Sequence, residues 1–290
     1  MPLGALGVFS FPRVHPNTHT AIGRAGKGKA VIGQARFEHA AHRARLSLIL
    51  PADSLDSIVL PGLLDYLAVQ AGLSGALHFS AEVDEGSCVF ESLRRAGFSV
   101  YAWQRVWKFP AGAEAGAPAG GEPSPNDTGT VWRPFRRRSD LNGARALYQS
   151  LVPALVQSIE SPPAHASRGL VYQPGSDLLA YADLVYGPLG IWVQPFIHPS
   201  SEDVMALLDR MVRAVPYRRS RPLYVCVRSY QSWFESSLEE LGAARGERQA
   251  LMVKHLAIAE RQTQALRIPA LHRSPSAAKA AKIAGLVRRG

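Results

Sequence analysis

Apolar and polar positions change period several times along the chain, and each change predicts an element. Alternation over Thr18–Ile22 and Ala30–Phe37 predicts two short strands joined by the glycine-rich turn Arg24–Lys29, and Arg45–Leu50 predicts a third. Pro61 suits a first helical position and Gly72 a cap, so Pro61–Ala71 predicts a helix. A strand over Ala76–Val83, a helix over Cys88–Ala96 and a strand over Phe98–Phe109 follow. Residues 110–129, PAGAEAGAPAGGEPSPNDTG, have no period and little to bury, and predict a linker. Beyond it come a strand at Val131–Phe135, a helix at Asp140–Ile159 that Pro153 can break, and strands at Gly169–Gln173 and Leu178–Tyr186 across the turn Pro174–Asp177. A strand at Gly190–Ile197 runs into the best-patterned helix, where Val204, Leu207, Leu208, Met211, Val212 and Val215 recur at helical spacing. The strand Pro222–Val227, the helix Trp233–Leu241 and the strand Glu247–Leu256 complete the order.

The two orders coincide from the first hairpin onward, which predicts an internal repeat. At an offset of 145 residues Gln104 falls on Gln249, as in their numbering difference. Ser92-Leu93…Gly97 falls on Ser237-Leu238…Gly242, and Ala76–Val83 on Arg221–Arg228, in the same register. The proline after the earlier strand is Pro51 in one copy and Pro199 in the other, so the second copy is about three residues shorter between that proline and the next strand.

This order of strand, helix pair, three or four antiparallel strands, helix, strand, helix and strand resembles the GNAT family of acyl-CoA N-acyltransferases. The motifs that carry the resemblance are Ile191-Trp-Val-Gln-Pro-Phe-Ile-His-Pro199 before an amphipathic helix, and the helices Phe90-Glu-Ser-Leu-Arg-Arg-Ala-Gly-Phe98 and Phe234-Glu-Ser-Ser-Leu-Glu-Glu-Leu-Gly242. It covers about 18–109 and about 130–257. The first copy lacks the opening strand and helix pair. The resemblance implies an α/β (α+β) fold of two GNAT-like units that pack against each other, each a mixed, mostly antiparallel sheet flanked by helices. The expected domains are 1–109, an N-terminal partial unit; 110–129, the linker; 130–257, the C-terminal unit; and 258–290, a basic and disordered tail.

The same resemblance implies acyl transfer from acetyl-CoA or another acyl-CoA to a small-molecule or peptide amine, with no metal. Backbone groups of Phe196 and Ile197 would align the pantetheine by strand-like pairing, and Ser200, Ser201 and Gln231 would flank the cofactor. Tyr230 would stand in as the acid and His198 as the base. Both copies depart from the family pattern. Where the family has Gln/Arg-x-x-Gly-x-Gly/Ala, a cradle in which glycines let backbone amides approach the pyrophosphate, the second copy has Ser200-Ser-Glu-Asp-Val204 and no glycine. The first has Asp53 and Asp56 in Ala52–Gly62 and places its one glycine late. The family's frequent acidic tyrosine is replaced by Leu93 and Leu238. A noncatalytic binding or scaffold protein that kept the fold after losing the cofactor loop is therefore the alternative.

Composition adds bounds. The chain has 290 residues and is 47% hydrophobic, which suits two units with real cores. No apolar run approaches the ~20 residues of a membrane span, and the N-terminus lacks a secretory pattern, which together predict a cytoplasmic protein. Cys88 and Cys226 are too few for a disulfide framework and read as two buried thiols. The net charge is +10, yet beyond Ala259 seven Lys/Arg face one Glu, so most of the excess sits in the tail. That tail makes nucleic-acid association a second alternative. Gly23-Arg-Ala-Gly-Lys-Gly-Lys-Ala30 nearly matches a phosphate-binding loop, but Ala30 replaces the hydroxyl and a strand follows instead of a helix, so it reads as a basic hairpin turn. Gly72-Leu-Ser-Gly-Ala76 is no nucleophile elbow, since it runs from helix into strand. His15, His19, His39 and His42 have no Cys or carboxylate partner in pattern and read as solvent-exposed.

Overall fold

The structure is a computed structural model, and it describes residues 17–24, 30–38, 41–51, 59–111, 132–135, 138–162, 169–218 and 221–256. The turn Arg24–Lys29 beyond Arg24, the acidic segment 52–58 of the first copy, the linker beyond residue 111, the tail, His15 and His39 lie outside the described residues.

The elements follow the expected order closely. Strands β1 (Thr18–Gly23), β2 (Val31–Glu38) and β3 (Arg43–Leu50) precede helix α1 (Val59–Leu73), and β4 (His78–Asp84), α2 (Cys88–Arg95) and β5 (Ser99–Phe109) close the first stretch. Strand β6 (Arg133–Pro134) comes next. The long helix is broken at Pro153 into α3 (Arg138–Leu151) and α4 (Ala154–Ile159), because proline can neither donate to the helical ladder nor clear the preceding turn. Then come β7 (Gly169–Tyr172), β8 (Ala180–Tyr186), β9 (Ile191–Ile197), α5 (Val204–Ala214) and β10 (Leu223–Arg228). A 3-10 turn (Ser229–Phe234) leads into α6 (Glu235–Glu240), and β11 (Ala244–His255) ends the described chain.

The eleven strands of the described residues join one sheet in the order β1-β2-β3-β4-β11-β5-β10-β9-β8-β7-β6. The fold is mixed and mostly antiparallel, with parallel pairing only for β3 with β4 and β9 with β10. Two separate sheets would have kept each final strand with its own half. Instead β11 lies against β4 and β5 lies against β10, so each half borrows the other's last strand. The two borrowed strands meet antiparallel at the centre, with Gln104 directly opposite Gln249 and a hydrogen bond of 2.9 Å from Gln104 Nε2 to Gln249 Oε1. The pairs Trp107 with Arg245 and Val100 with Met252 flank this point at positions that interchange under the same 145-residue offset.

Three apolar clusters follow from the alternation of side chains across the pleat. Leu223, Val225 and Val227 of β10 point with Ile191, Val193 and Ile197 of β9 toward Leu207, Leu208 and Met211 of α5 and Leu238 of α6. Phe79, Ala81 and Val83 of β4 point with Ala250 and Met252 toward Leu60, Leu64 and Leu67 of α1 and Leu93 of α2. On the opposite face α3 and α4 cover Ala102, Tyr181, Phe196 and Leu251 through Leu147, Tyr148 and Val156. Leu93 and Leu238, which stand where the family resemblance expects a phenol, are both fully buried and serve these cores. Cys226 is buried, but Cys88 is exposed on α2, contrary to the reading of two buried thiols: Cys88 opens the helix while the neighbouring Val89 turns into the core.

Both final strands are entered through the same device. Gly97 and Gly242 have φ of +81° and +79°, and each donates to the carbonyl three residues back, Arg94 and Glu239. Phe98 and Ala243 then donate to Leu93 and Leu238. A Cβ in this left-handed region costs roughly 1–2 kcal/mol. Gly97→Ala and Gly242→Ala are each expected to lower stability by about that amount in urea melts, and equally, since both caps have the same geometry.

Candidate functional site

Strands β9 and β10 pair only at their starts, Ile191–Val193 with Leu223–Val225, and then part. Beyond that point the edge of β9 that faced β10 needs new partners. This explains a proline inside a central strand: Pro195 shares its edge with Ile191, whose N–H donates to Pro222 O, so its missing N–H falls where no strand remains to receive it.

The partner is Gln231, in the 3-10 turn after β10 and 98% buried. In the amide orientation that satisfies both sides, its oxygen accepts from Ile197 N at 3.0 Å and its nitrogen donates to Pro195 O at 3.3 Å. A side-chain amide thus makes the two bonds of a neighbouring peptide group. Ile197 and Phe196 are themselves buried, Phe196 stacked on Tyr181 at 4.6 Å between ring centres and tilted against Tyr148 at 5.7 Å.

The segment between β9 and α5 is closed by its own side chains. His198 Nδ1 is 2.6 Å from Ser200 Oγ and accepts from Ser200 N at 3.2 Å. Ser201 is buried, with no hydrogen-bond partner at Oγ among the described residues. Asp203, at φ +43°, caps the helix by accepting from Ala206 N at 3.0 Å, so a carboxylate already complements the dipole at this terminus.

A polar cluster lies under α4 where β10 ends. Arg228 Nη2 donates to Glu160 Oε2 at 3.2 Å and lies 3.0 Å from Oε1, and Tyr101 donates to Glu160 Oε1 at 2.7 Å. Burial works to lower the Arg228 pKa, but the Glu160 charge outweighs it and the guanidinium is held above its usual value. Tyr148 donates to Glu160 O at 3.2 Å, and burial pushes its phenol up to about 12. Tyr230 is also raised by burial, and its hydroxyl has no hydrogen-bond partner among the described residues. A row of side-chain bonds then crosses the central strands: Cys226 Sγ to Gln104 Oε1 at 3.2 Å, Gln104 to Gln249, and Gln249 Nε2 to Asp84 Oδ1 at 3.0 Å. Burial pushes the Cys226 thiol up to about 12, which removes it as a nucleophile near neutral pH.

Of the residues picked out in the sequence, Phe196, Ile197 and Gln231 come together at the split, and Tyr230 neighbours them in the same turn. His198, Ser200 and Ser201 form the separate loop at the head of α5. Arg228, Glu160, Tyr101 and Tyr148 were not singled out. The signal available was a charged residue ending the strand Leu-Tyr-Val-Cys-Val-Arg on its Cys226 face. No group of three or more His, Cys, Asp or Glu among the described residues could hold a metal ion, and no helix among them is long and apolar enough to cross a membrane.

No protein-family model matches this sequence, and neither does any curated protein. Solved structures do match in shape. A GCN5-related N-acetyltransferase from Kribbella flavida is 12% identical, with a TM-score of 0.52 over 77% of this chain and 86% of that one. A conserved protein of unknown function from Staphylococcus epidermidis ATCC 12228 is 10% identical, with a TM-score of 0.50 over 78% of this chain and 91% of that one. At these identities the likeness is one of fold: the chain has the fold of the GCN5-related N-acetyltransferases, the GNAT fold.

Proposed function

We propose that this chain is a noncatalytic GNAT-fold binding or scaffold protein built from two related units, 1–109 and 130–257, whose C-terminal split is held shut from within. The observation that carries this reading is the Gln231 amide on Pro195 O and Ile197 N. Those are the strand-edge groups with which a pantetheine arm would pair, and they are already taken. The terminus of α5, where a pyrophosphate would sit, carries Asp203 as its cap and Glu202 beside it, so a dianion would meet two carboxylates. The residues present do not fit an acyl-CoA in this split.

Calorimetric titration of the full chain with acetyl-CoA is expected to give no saturable heat at millimolar ligand; saturable binding would overturn the reading. Gln231→Ala is expected to lower stability by about 1–3 kcal/mol, the cost of stranding buried backbone groups, in urea melts.

One observation favours a second reading, in which the chain transfers an acyl group from acyl-CoA to a small-molecule or peptide amine through its N-terminal unit. Strands β3 and β4 also pair only at their starts, Arg43–Arg45 with His78–Ser80. There the end of β3 bulges against β2 near Ser47 and stays partly exposed through Leu46–Leu50, whereas Pro195–Ile197 of β9 are buried. On this reading acetyl-CoA would raise hydrogen-exchange protection over 43–50 and leave 191–197 unchanged.

A further inference from the structure

His78 and His255 stand directly opposite each other on β4 and β11. Their Nδ1 atoms are 3.2 Å apart, with the rings at 81° and their centroids 5.0 Å apart. This is an unusual contact, because a neutral imidazole has one donor nitrogen and one acceptor, and only one of the two facing atoms can carry a proton. The contact persists without metal when one ring holds Nδ1–H and donates it to the other.

The spacing has a second meaning. Two imidazole nitrogens bound to one late transition-metal ion, each about 2.0–2.1 Å from it, are separated by roughly 2.9 Å at a right angle and 3.4 Å at the tetrahedral angle. The observed 3.2 Å lies between these limits. Both rings are on adjacent strands of the sheet and reach solvent, so an ion has an approach and water can fill its remaining positions. Arg43, opposite His78 on β3, is a positive group set against a cation here. Its guanidinium is bound to Glu38 at 2.7 Å and to Ile159 O at 3.2 Å, which holds it away and offsets its charge.

We propose that His78 and His255 form a two-histidine surface site for a divalent late transition-metal ion, copper(II), nickel(II) or zinc, clamping the start of β4 to the end of β11. On binding, the ring that carried Nδ1–H moves its proton to Nε2, so both Nδ1 lone pairs face the ion and no net proton is released near neutral pH. The ligand set is all imidazole and water, so affinity should follow copper above nickel and zinc, with magnesium and calcium failing to bind.

The test is calorimetric titration of the full chain with CuCl2, NiCl2 and ZnCl2, beside thermal melts. One equivalent is expected to bind, to raise the melting midpoint by about 5 °C or more at a hundredfold excess over Kd, and to weaken as pH falls from 7.5 to 5.5. His78→Ala and His255→Ala should each weaken that equivalent at least tenfold, while His42→Ala and His198→Ala keep it; His42 and His198 are engaged elsewhere, with Gly75 O and Ser200. Both target rings reach solvent, so their loss should spare the fold, and the metal-free melts of the variants check that. Metal uptake unchanged by either target substitution, or no saturable uptake by the parent chain, would overturn the proposal.

Discussion

A chain ending at Gly242, without β11, is expected to show no cooperative unfolding transition. In a sheet whose halves each kept their own last strand, such a truncation would uncover one unit and leave the other standing. Here β11 runs between β4 and β5 and, among the described residues, joins β1–β4 to β5–β10 within the sheet. Removing it exposes the ladder edges of both neighbours and the buried contacts of Ala250 and Met252 in one core and of Leu251 in another. It also leaves Gln104 and Asp84 without Gln249, and a buried amide left unpaired, as Gln104 then is on that side, costs about 1–3 kcal/mol. Losses of that kind exceed the ~5–15 kcal/mol net stability of an ordinary domain when summed with the lost apolar burial. Loss of the transition by circular dichroism in urea is the expected result, and a sharp transition with native amplitude would count against it. The same logic predicts what residues 132–256 do alone. That segment has β10 with an empty edge and β11 with no partner, so it should associate as a dimer in which the β11 of each copy lies against the β10 of the other. A folded monomer in sedimentation would contradict the exchange.

The exchange itself was only half legible in the sequence. Periodicity identifies an element by its own apolar face, and it served well for α5, whose Leu207, Leu208, Met211 and Val212 are all buried, and for the break at Pro153. It says nothing about which strand lies alongside. β5 and β11 have the same pattern, the same glycine entry and a glutamine at the same place, so local pattern cannot separate pairing within a half from pairing across halves. The one hint was Gln104 on Gln249: a polar residue repeated in an apolar strand needs a partner, and the partner turned out to be its own counterpart. At the split, Gln231 was visible as an amide near the strand ends, but the direction of its hydrogen bonds depends on where β9 and β10 diverge. That divergence is a matter of sheet twist and packing and leaves no trace in residue spacing. Glu160 and Arg228, 68 residues apart, could not be joined by any pattern at all.

That pair carries the second large effect. Arg228 is 8% exposed and Glu160 21% at their side chains, and the guanidinium meets both carboxylate oxygens. Arg228→Met keeps the volume and removes the charge, leaving the Glu160 carboxylate, among the described residues, with the Tyr101 hydroxyl at 2.7 Å. Breaking a buried pair from one side costs about 3–5 kcal/mol, because the stranded ion keeps its desolvation penalty without its counter-charge. The partial exposure of Glu160 places the expectation near about 3 kcal/mol, read as a fall in the urea midpoint at constant slope. The double variant Arg228→Met with Glu160→Gln removes both charges, and most of the loss should return, since the penalty belongs to the unpaired ion and not to the missing attraction. Arg228 Nε and Nη1 have no acceptor among the described residues, so the methionine gives up no further bonds. If the single and double variants are equally unstable, the destabilisation comes from lost packing against α4 and not from Glu160. If Arg228→Met alone costs under about 1 kcal/mol, Glu160 must already reach water well enough to stand without its partner.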